Sequence, residues 1–486
     1  MPSLKKNIIY RNMYQVLITL IPLITAPYLS RVLGAENIGV YSYTFSIVSY
    51  FVLFAMLGIR VYGSRAIAIV RDNKEKLNKT FSDLFFLQLG ISVFVLIVYT
   101  LFLLFFAGEY RIFFAIQIFT LFSALLDIHW FFSGVEQIKI ILARSCMIRL
   151  VYVACLFIFV KNEGDLWIYV LLSSLSAFLN NSILWFFLRK YISLIKPAWR
   201  GIKSHIKPLL ILFIPVIAVS IYGTMDKIIL GSMSGEVQLA HYANAEKIYN
   251  VVIGFIVAFS SVMIPRMSNL ATKGSQSQKK RLTIISMKYL IFFSIGLTFG
   301  LSAIANDFAP LFFGRAFVDS GVLIIGLSIM IPFVTFQNVI SSHHILPNSN
   351  DKAFTVAIVA GASVSISANM ILIPKFQAMG AVVARILAEV TVCIIITMLS
   401  RKSLPIFTYI KNSMFFLFTG IAMFFTVRFI GGFMRQGILS ILVQSSVGAA
   451  FYLGASVAYL YITKDELFLN ALKWVIRAIK KESGKV

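Results

Sequence analysis

GAENIGVY, residues 34–41, and GEVQLAHY, residues 235–242, both read Gly-x-x-x-[Ile/Leu]-[Gly/Ala]-x-Tyr. The first follows the first long apolar stretch of the chain and the second follows the seventh. A long basic connection at 189–208 lies between them. That placement is what two six-helix units joined head to tail would produce. Six membrane crossings is an even number, so the two units would share one orientation. They would be related by an axis along the membrane normal, with a cavity between them.

Composition supports crossing of a membrane. Of 486 residues 59% are hydrophobic and 13% are charged, and the mean hydropathy is +0.88. Soluble domains carry a smaller apolar share. A spanning helix needs roughly 20 mostly apolar residues. Such segments occur near 9–29, 38–59, 81–107, 112–132, 147–160, 166–188, 209–230, 241–263, 287–306, 321–342, 354–373, 378–399, 411–430 and 438–461. The segment at 147–160 is short and should begin earlier. The predicted fold is therefore an all-α integral membrane protein of about 14 transmembrane helices: two six-helix bundles around a central cavity plus two C-terminal helices.

The net charge of +25 is distributed unevenly. One set of connections is rich in Lys and Arg: 60–79, 139–149, 189–207, 266–281 and 401–402. The other set holds mostly single cations, such as Arg31, Arg111, Lys161, Arg315, Lys375 and Arg435. The positive-inside rule places the rich set, and with it both termini, in the cytoplasm. The expected division is 1–190 for the first bundle, 191–208 for a basic linker, 209–400 for the second bundle, 401–463 for two additional helices and 464–486 for a basic amphipathic tail. The tail places Leu467, Phe468, Ala471, Leu472, Val475 and Ile479 on one side, as a helix resting on an anionic leaflet would. Cys146, Cys155 and Cys393 show no metal or redox spacing.

Several stretches, taken in order, resemble bacterial polysaccharide transporters, the Wzx-type flippases. They are PLITAPYLSRVLGAENIGVYSYTFSIVSYF (22–51), LGIRVYGSRAIAIVRD (57–72), DIHWFFSGVEQIKIILARS (127–145), IYGTMDKIILG (221–231), HYANAEKIYN (241–250), IPRMS (264–268) and ANMILIPKFQAMGAVVARILAE (368–389). The third is similar to the family's Asp-x-x-Trp-Phe-x-x-Gly-x-Glu stretch, with His129 where the family pattern has Gln. The resemblance implies the fold of the multidrug/oligosaccharidyl-lipid/polysaccharide (MOP) superfamily. It also implies a function: moving undecaprenyl-diphosphate-linked oligosaccharide units across the bacterial cytoplasmic membrane, by alternating access, for surface polysaccharide biosynthesis. The implied partners are that lipid-linked oligosaccharide and membrane lipids, with contact to polymerase and chain-length machinery as a further expectation. No nucleic acid, catalytic residue, metal or cofactor is called for. Coupling to a sodium or proton gradient is left open.

A diphosphate in a low-dielectric cavity needs cations. Intramembrane polar residues are therefore the candidates, and they are few. Substrate-binding candidates are Lys227, Lys247, Arg11, Asn180 and Arg385; gating or structural charges are Asp127, His129, Glu136, Asp226, Glu246 and Glu389. Arg385 and Glu389, at i and i+4, read as an intrahelical pair. Asn180 and its neighbour Asn181 read as helix–helix hydrogen-bonding groups. Arg11 reads equally as an interfacial cation.

Asp127 and Glu136 are expected to pair with cytoplasmic-side cations such as Arg144 or Arg149, with His129 pointing elsewhere and Trp130 at the interface. Asp226/Lys227 and Glu246/Lys247 stand about ten residues either side of Glu236, so they share a depth near the outer face on neighbouring helices. A crossed pair, Asp226 with Lys247 or Lys227 with Glu246, would leave one lysine for a diphosphate; Lys227 is the choice here.

Three other readings compete. A drug/cation antiporter of the same superfamily would want a net acidic cavity, whereas these charges are balanced or cationic. A membrane-embedded polysaccharide polymerase or glycosyltransferase would need a sizeable outer loop or an acidic or metal site, and neither is visible. A scaffold or channel is a third reading that short loops do not exclude.

Overall fold

In a computed structural model the described residues are 4–272, 276–348, 350–465 and 468–469, with the side chains of the first eighteen residues outside that set. Among them every regular element is helical. In chain order these are α1 (Leu4–Met56), α2 (Ile59–Val70), α3 (Lys74–Phe105), α4 (Arg111–Ile116), α5 (Ile118–Leu125), α6 (His129–Gly134), α7 (Ile138–Phe159) and α8 (Leu166–Ser182). There follow α9 (Leu184–Leu188), α10 (Trp199–Thr272), α11 (Gln276–Phe313), α12 (Ser320–Ser328), α13 (Met330–Ile340), α14 (Asp351–Ser400), α15 (Ile406–Gly432) and α16 (Ile438–Ile462).

Three of these helices are folded back on themselves. A straight helix rises about 1.5 Å per residue, so α10 alone would run far beyond any membrane. Instead it breaks at Gly235, with φ 81° and ψ 174°. α1 breaks the same way at Gly34, with φ 76° and ψ 175°. The two glycines that align in the sequence repeat share one backbone conformation, which a residue with a Cβ adopts only at a cost. Reversal shows in the contacts. Lys227 lies 2.7 Å from Glu246 across the second turn. Tyr28 donates to the Val160 carbonyl while Tyr41 packs on nearby Tyr169, so both legs of α1 reach the same neighbour. The third reversal, in α14, is at Gln377 (φ 51°), and it brings Gly380 against the Leu372 backbone.

Ten helical stretches are long and apolar enough to cross a membrane. Two of them, Thr19–Val70 and Asp351–Ser400, hold two legs each. The second leg of α10 and the broken α4–α6 pass complete fourteen passes among the described residues. The segment that looked too short, 147–160, begins at Ile138 as α7. The end carrying Gly34 and Gly235 is called here the hairpin end, and the opposite one, carrying 189–208, the linker end.

Three apolar cores hold the bundle. One joins both halves at the hairpin end, with Leu29, Leu33 and Ile38 of α1 against Leu239, Tyr242 and Ala245 of α10 and Phe313 of α11. A second, around Phe81, Trp130 and Phe131, fills the linker end of the first half. The third packs α15 and α16 onto α11, through Tyr409, Phe416 and Tyr452. Elsewhere large apolar side chains face outward, among them Phe407, Phe425 and Phe429 of α15 and Phe433 just beyond it. That surface suits a lipid solvent. The amphipathic tail expected at 464–486 falls almost entirely outside the described residues.

Candidate functional site

The second half buries a charge cluster where the 226/246 dyads meet, deeper than the outer-face position expected for them. Asp226 stands nine residues before the Gly235 turn, about 14 Å by helix rise and thus near the middle of a hydrocarbon core of about 30 Å. Lys227 Nζ meets Glu246 Oε2 at 2.7 Å. Arg385, from the second leg of α14, enters between the two legs of α10. Its Nη1 lies 2.5 Å from Glu246 Oε1 and 3.3 Å from Asp226 Oδ2. The Tyr242 hydroxyl donates to Asp226 and accepts from Arg385. The Arg385 guanidinium also lies over the Tyr249 ring at 5.4 Å. Two cations, Lys227 and Arg385, therefore stand among two carboxylates.

Of the two crossed pairings, the structure contains Lys227 with Glu246, so the remaining lysine is Lys247 rather than Lys227. Lys247 Nζ donates to Asn244 Oδ1 at 2.9 Å, and Asn244 Nδ2 donates to Ser30 Oγ of α1 at 2.9 Å. The cluster is thus tied to the seam between the halves. Further bonds cross the same seam: Tyr110 to the Glu236 carboxylate and Arg31 to the Leu311 carbonyl at 2.6 Å. At Gly39 the backbone of Glu236 fills the space a Cβ would need, so glycine allows this closest approach of α1 and α10.

The expected Arg385/Glu389 pair does not form. Arg385 turns to the two acids of α10, and Glu389 accepts instead from Gln337 Nε2 of α13 at 2.6 Å. Helical spacing permits an i,i+4 contact, but two buried carboxylates nearby attract the guanidinium more strongly than one.

The first half holds a second polar network at its linker end. Helix geometry fails between α5 and α6, and Asp127 sits in that break. Its Oδ1 accepts from His129 N at 2.9 Å and faces His129 Nδ1 at 2.8 Å. Its Oδ2 meets Arg60 Nη2 at 2.6 Å. Glu136 pairs with Arg71 at 2.6 Å. The partners are therefore Arg60 and Arg71 from the α2 region, not Arg144 or Arg149. Because the helix is interrupted, His129 turns back onto Asp127 rather than away from it. His129 Nε2 then faces Arg144 Nη2 at 2.9 Å, Arg144 bonds Ser145, and Ser145 bonds Asn180. Asn181 donates to Ser123 at 2.8 Å. Trp130 is buried rather than interfacial: its Nε1 donates to Gln88 Oε1 at 3.0 Å, and its ring stacks on Phe81. Arg11 lies outside the described side chains.

The two acids of this network should behave differently. Asp127 is fully buried and holds the start of α6, whereas the Glu136 side chain is 51% exposed. Asp127→Ala should destabilise by about 1–3 kcal/mol, because it removes a buried acceptor from several donors. Glu136→Gln, which loses only a surface ion pair, should cost no more than about 0.5 kcal/mol. Thermal unfolding of the two purified variants in one detergent checks the ranking.

Sequence reasoning missed Tyr242, Asn244, Gln337 and Arg60. Tyr242 is the last residue of the second repeat motif, which was its available signal. Asn244 and Gln337 carry none beyond being polar within apolar runs.

Comparison with known proteins covers almost the whole chain. Two proteins named "Putative O-antigen transporter" are similar to it. That of Escherichia coli (strain K12) is 27% identical over 415 residues, covering 82% of this chain and 97% of the relative. That of Shigella dysenteriae is 23% identical over 393 residues, covering 80% and 98%. Among solved structures, "Lipid II flippase MurJ, inward closed conformation" superposes with a TM-score of 0.76 at 17% identity, over 93% of this chain and 99% of that one. An inward-facing multidrug resistance MATE family transporter of the MOP superfamily gives 0.65 at 14% identity, over 81% and 97%. These superpositions establish a shared MOP-type fold. The family described as "Polysaccharide biosynthesis protein" matches residues 4–271, more than half of the sequence, and the chain belongs to that family.

Proposed function

We propose that this protein is a flippase that carries a prenyl-diphosphate-linked oligosaccharide across the cytoplasmic membrane of a bacterium for surface polysaccharide assembly. The observation that carries the reading is the cluster of Lys227 and Arg385 on Asp226 and Glu246, with Lys247 beside it bonded through Asn244 into the seam between the halves. A polar head with a diphosphate needs cations at mid-membrane depth. Cations already tied to the seam would exchange protein partners for phosphate oxygens as the seam opens. The prenyl chain needs only apolar surface. A cavity of about 760 Å³ between α11, α13, α14 and α15, lined by Ile295, Phe333, Met414, Leu417 and Phe424 among others, supplies it.

The two six-helix units, 1–190 and 209–400, would rock against each other about the α1/α10 crossing, with no catalytic group required. The excess of Lys and Arg in the linker-end connections supports a cytoplasmic position for that end and for both termini. The relatives named as O-antigen transporters support this class of cargo over a drug or cation. Deleting the protein from its host tests the reading. Lipid-linked repeat units should continue to be made and should accumulate on the cytoplasmic leaflet. Failure to make the repeat unit at all would favour an enzyme instead.

A further inference from the structure

A second lipid-shaped feature lies in the first half, on the paired helices α7 and α8. There a groove of about 660 Å³ is walled by apolar side chains, among them Met147, Val151, Leu175 and Leu179. Met147 and Val151 are 69% and 53% exposed, so the groove opens to the outside of the bundle. Its lining on α7 runs from Lys139 to Cys155, about 24 Å by helix rise, more than the roughly 15 Å of hydrocarbon in one leaflet. Charge is confined to one end. Lys139 and Arg144 line the groove near the start of α7, and among the described residues no carboxylate lines it. The N-terminus of the 22-residue α7 adds partial positive charge at that same end. Arg144 is buried and held against His129 and Ser145, which fixes a cation at the groove mouth rather than leaving it on a mobile surface side chain.

We infer that the α7/α8 groove is a binding site for an anionic phospholipid, with its acyl chain along the apolar wall and its phosphate at Lys139 and Arg144. Basic pockets between helices at the cytoplasmic side are suited to anionic headgroups, and the leaflet at the linker end is the cytoplasmic one if the orientation proposed above holds. The occupant differs from the transported molecule because the groove is built from first-half helices, whereas the charge cluster belongs to α10 and α14. Arg144 bonds His129, which bonds Asp127 and through it Arg60. A bound phosphate would therefore stand at the end of the polar network that secures α6.

The test uses the full chain, reconstituted in equal parts phosphatidylglycerol and phosphatidylcholine of matched acyl chains, extracted, and weighed by native mass spectrometry. The expected result is retention of phosphatidylglycerol over phosphatidylcholine by at least about five-fold. Lys139→Gln, and independently Ala143→Trp, which fills the groove, should each lower that preference several-fold while thermal unfolding stays unchanged. Equal retention of the two lipids by the unaltered protein, or a preference untouched by both substitutions, would overturn the inference. So would displacement of phosphatidylglycerol by an equal concentration of undecaprenyl phosphate, which would give the groove to the transported lipid. The readout is bound lipid rather than export, so its failure leaves the flippase reading standing, and failure of the export tests leaves this one standing.

Discussion

Arg385→Ala is expected to abolish glycan export and to lower the yield of folded protein. The guanidinium is buried and lies within 3.3 Å of carboxylates from both legs of α10. Removing it leaves Asp226 and Glu246 facing one another with Lys227 as their one ion-pair partner among the described residues. Breaking a buried ion pair from one side costs about 3–5 kcal/mol, a large part of the stability of any fold. Arg385→Lys keeps a charge but loses the longer guanidinium arm that sets Nη1 against both acids and lies over Tyr249, and should retain a minority of export. The double change Arg385→Ala with Asp226→Asn removes the uncompensated charge and keeps the Lys227–Glu246 pair. It should recover the folded yield without recovering export. Complementation of a deletion strain, read beside the monodisperse peak in size-exclusion chromatography, separates the two effects. Export at the normal level by folded Arg385→Ala would remove the cluster from the transport account.

The second large effect concerns the seam. Ser30 Oγ and Asn244 Nδ2 are 2.9 Å apart, on α1 and α10. In a protein whose Cys146, Cys155 and Cys393 have been replaced by serine, cysteines at 30 and 244 should be joined efficiently by a short, reducible thiol cross-linker. Joining them should reduce export at least ten-fold, and reduction should restore it. Either cysteine alone, treated in the same way, should export normally. If joined protein exports at full rate, the halves do not separate at the hairpin end during transport.

The overall architecture was legible because it rests on length and periodicity. Fourteen apolar segments and one repeated octapeptide predict the passes, and the octapeptide also marks two of the three reversals, at Gly34 and Gly235. The third, at Gln377, falls in the gap at 374–377 between the apolar segments 354–373 and 378–399, but no glycine marks it, and a glutamine at positive φ is held by its surroundings rather than chosen by its own backbone preference. The partners of the candidate charges were much less legible. Spacing along a helix identifies neighbours on that helix, and so it suggested Arg385 with Glu389. It does not reveal that α14 inserts Arg385 between the legs of α10, which depends on how three helices pack. The same limit applies to Asp127. An unbroken helix would have turned His129 away from it. The break between α5 and α6, which brings them together, follows from tertiary contacts such as Gln88 bonding the Ala124 and Asp127 carbonyls.

The central claim is movement of a lipid-linked oligosaccharide, and reconstitution measures it directly. Purified protein in liposomes, supplied with an undecaprenyl-diphosphate oligosaccharide in both leaflets, is exposed to an external glycosidase that cannot enter. With active protein nearly all of the substrate should be cleaved, as the inner pool is brought outward. Liposomes without protein, or with the folded double variant Arg385→Ala with Asp226→Asn, should protect about half. Protection of half of the substrate by the unaltered protein, at a density giving several copies per liposome and under each of no gradient, a sodium gradient and a proton gradient, would contradict the account.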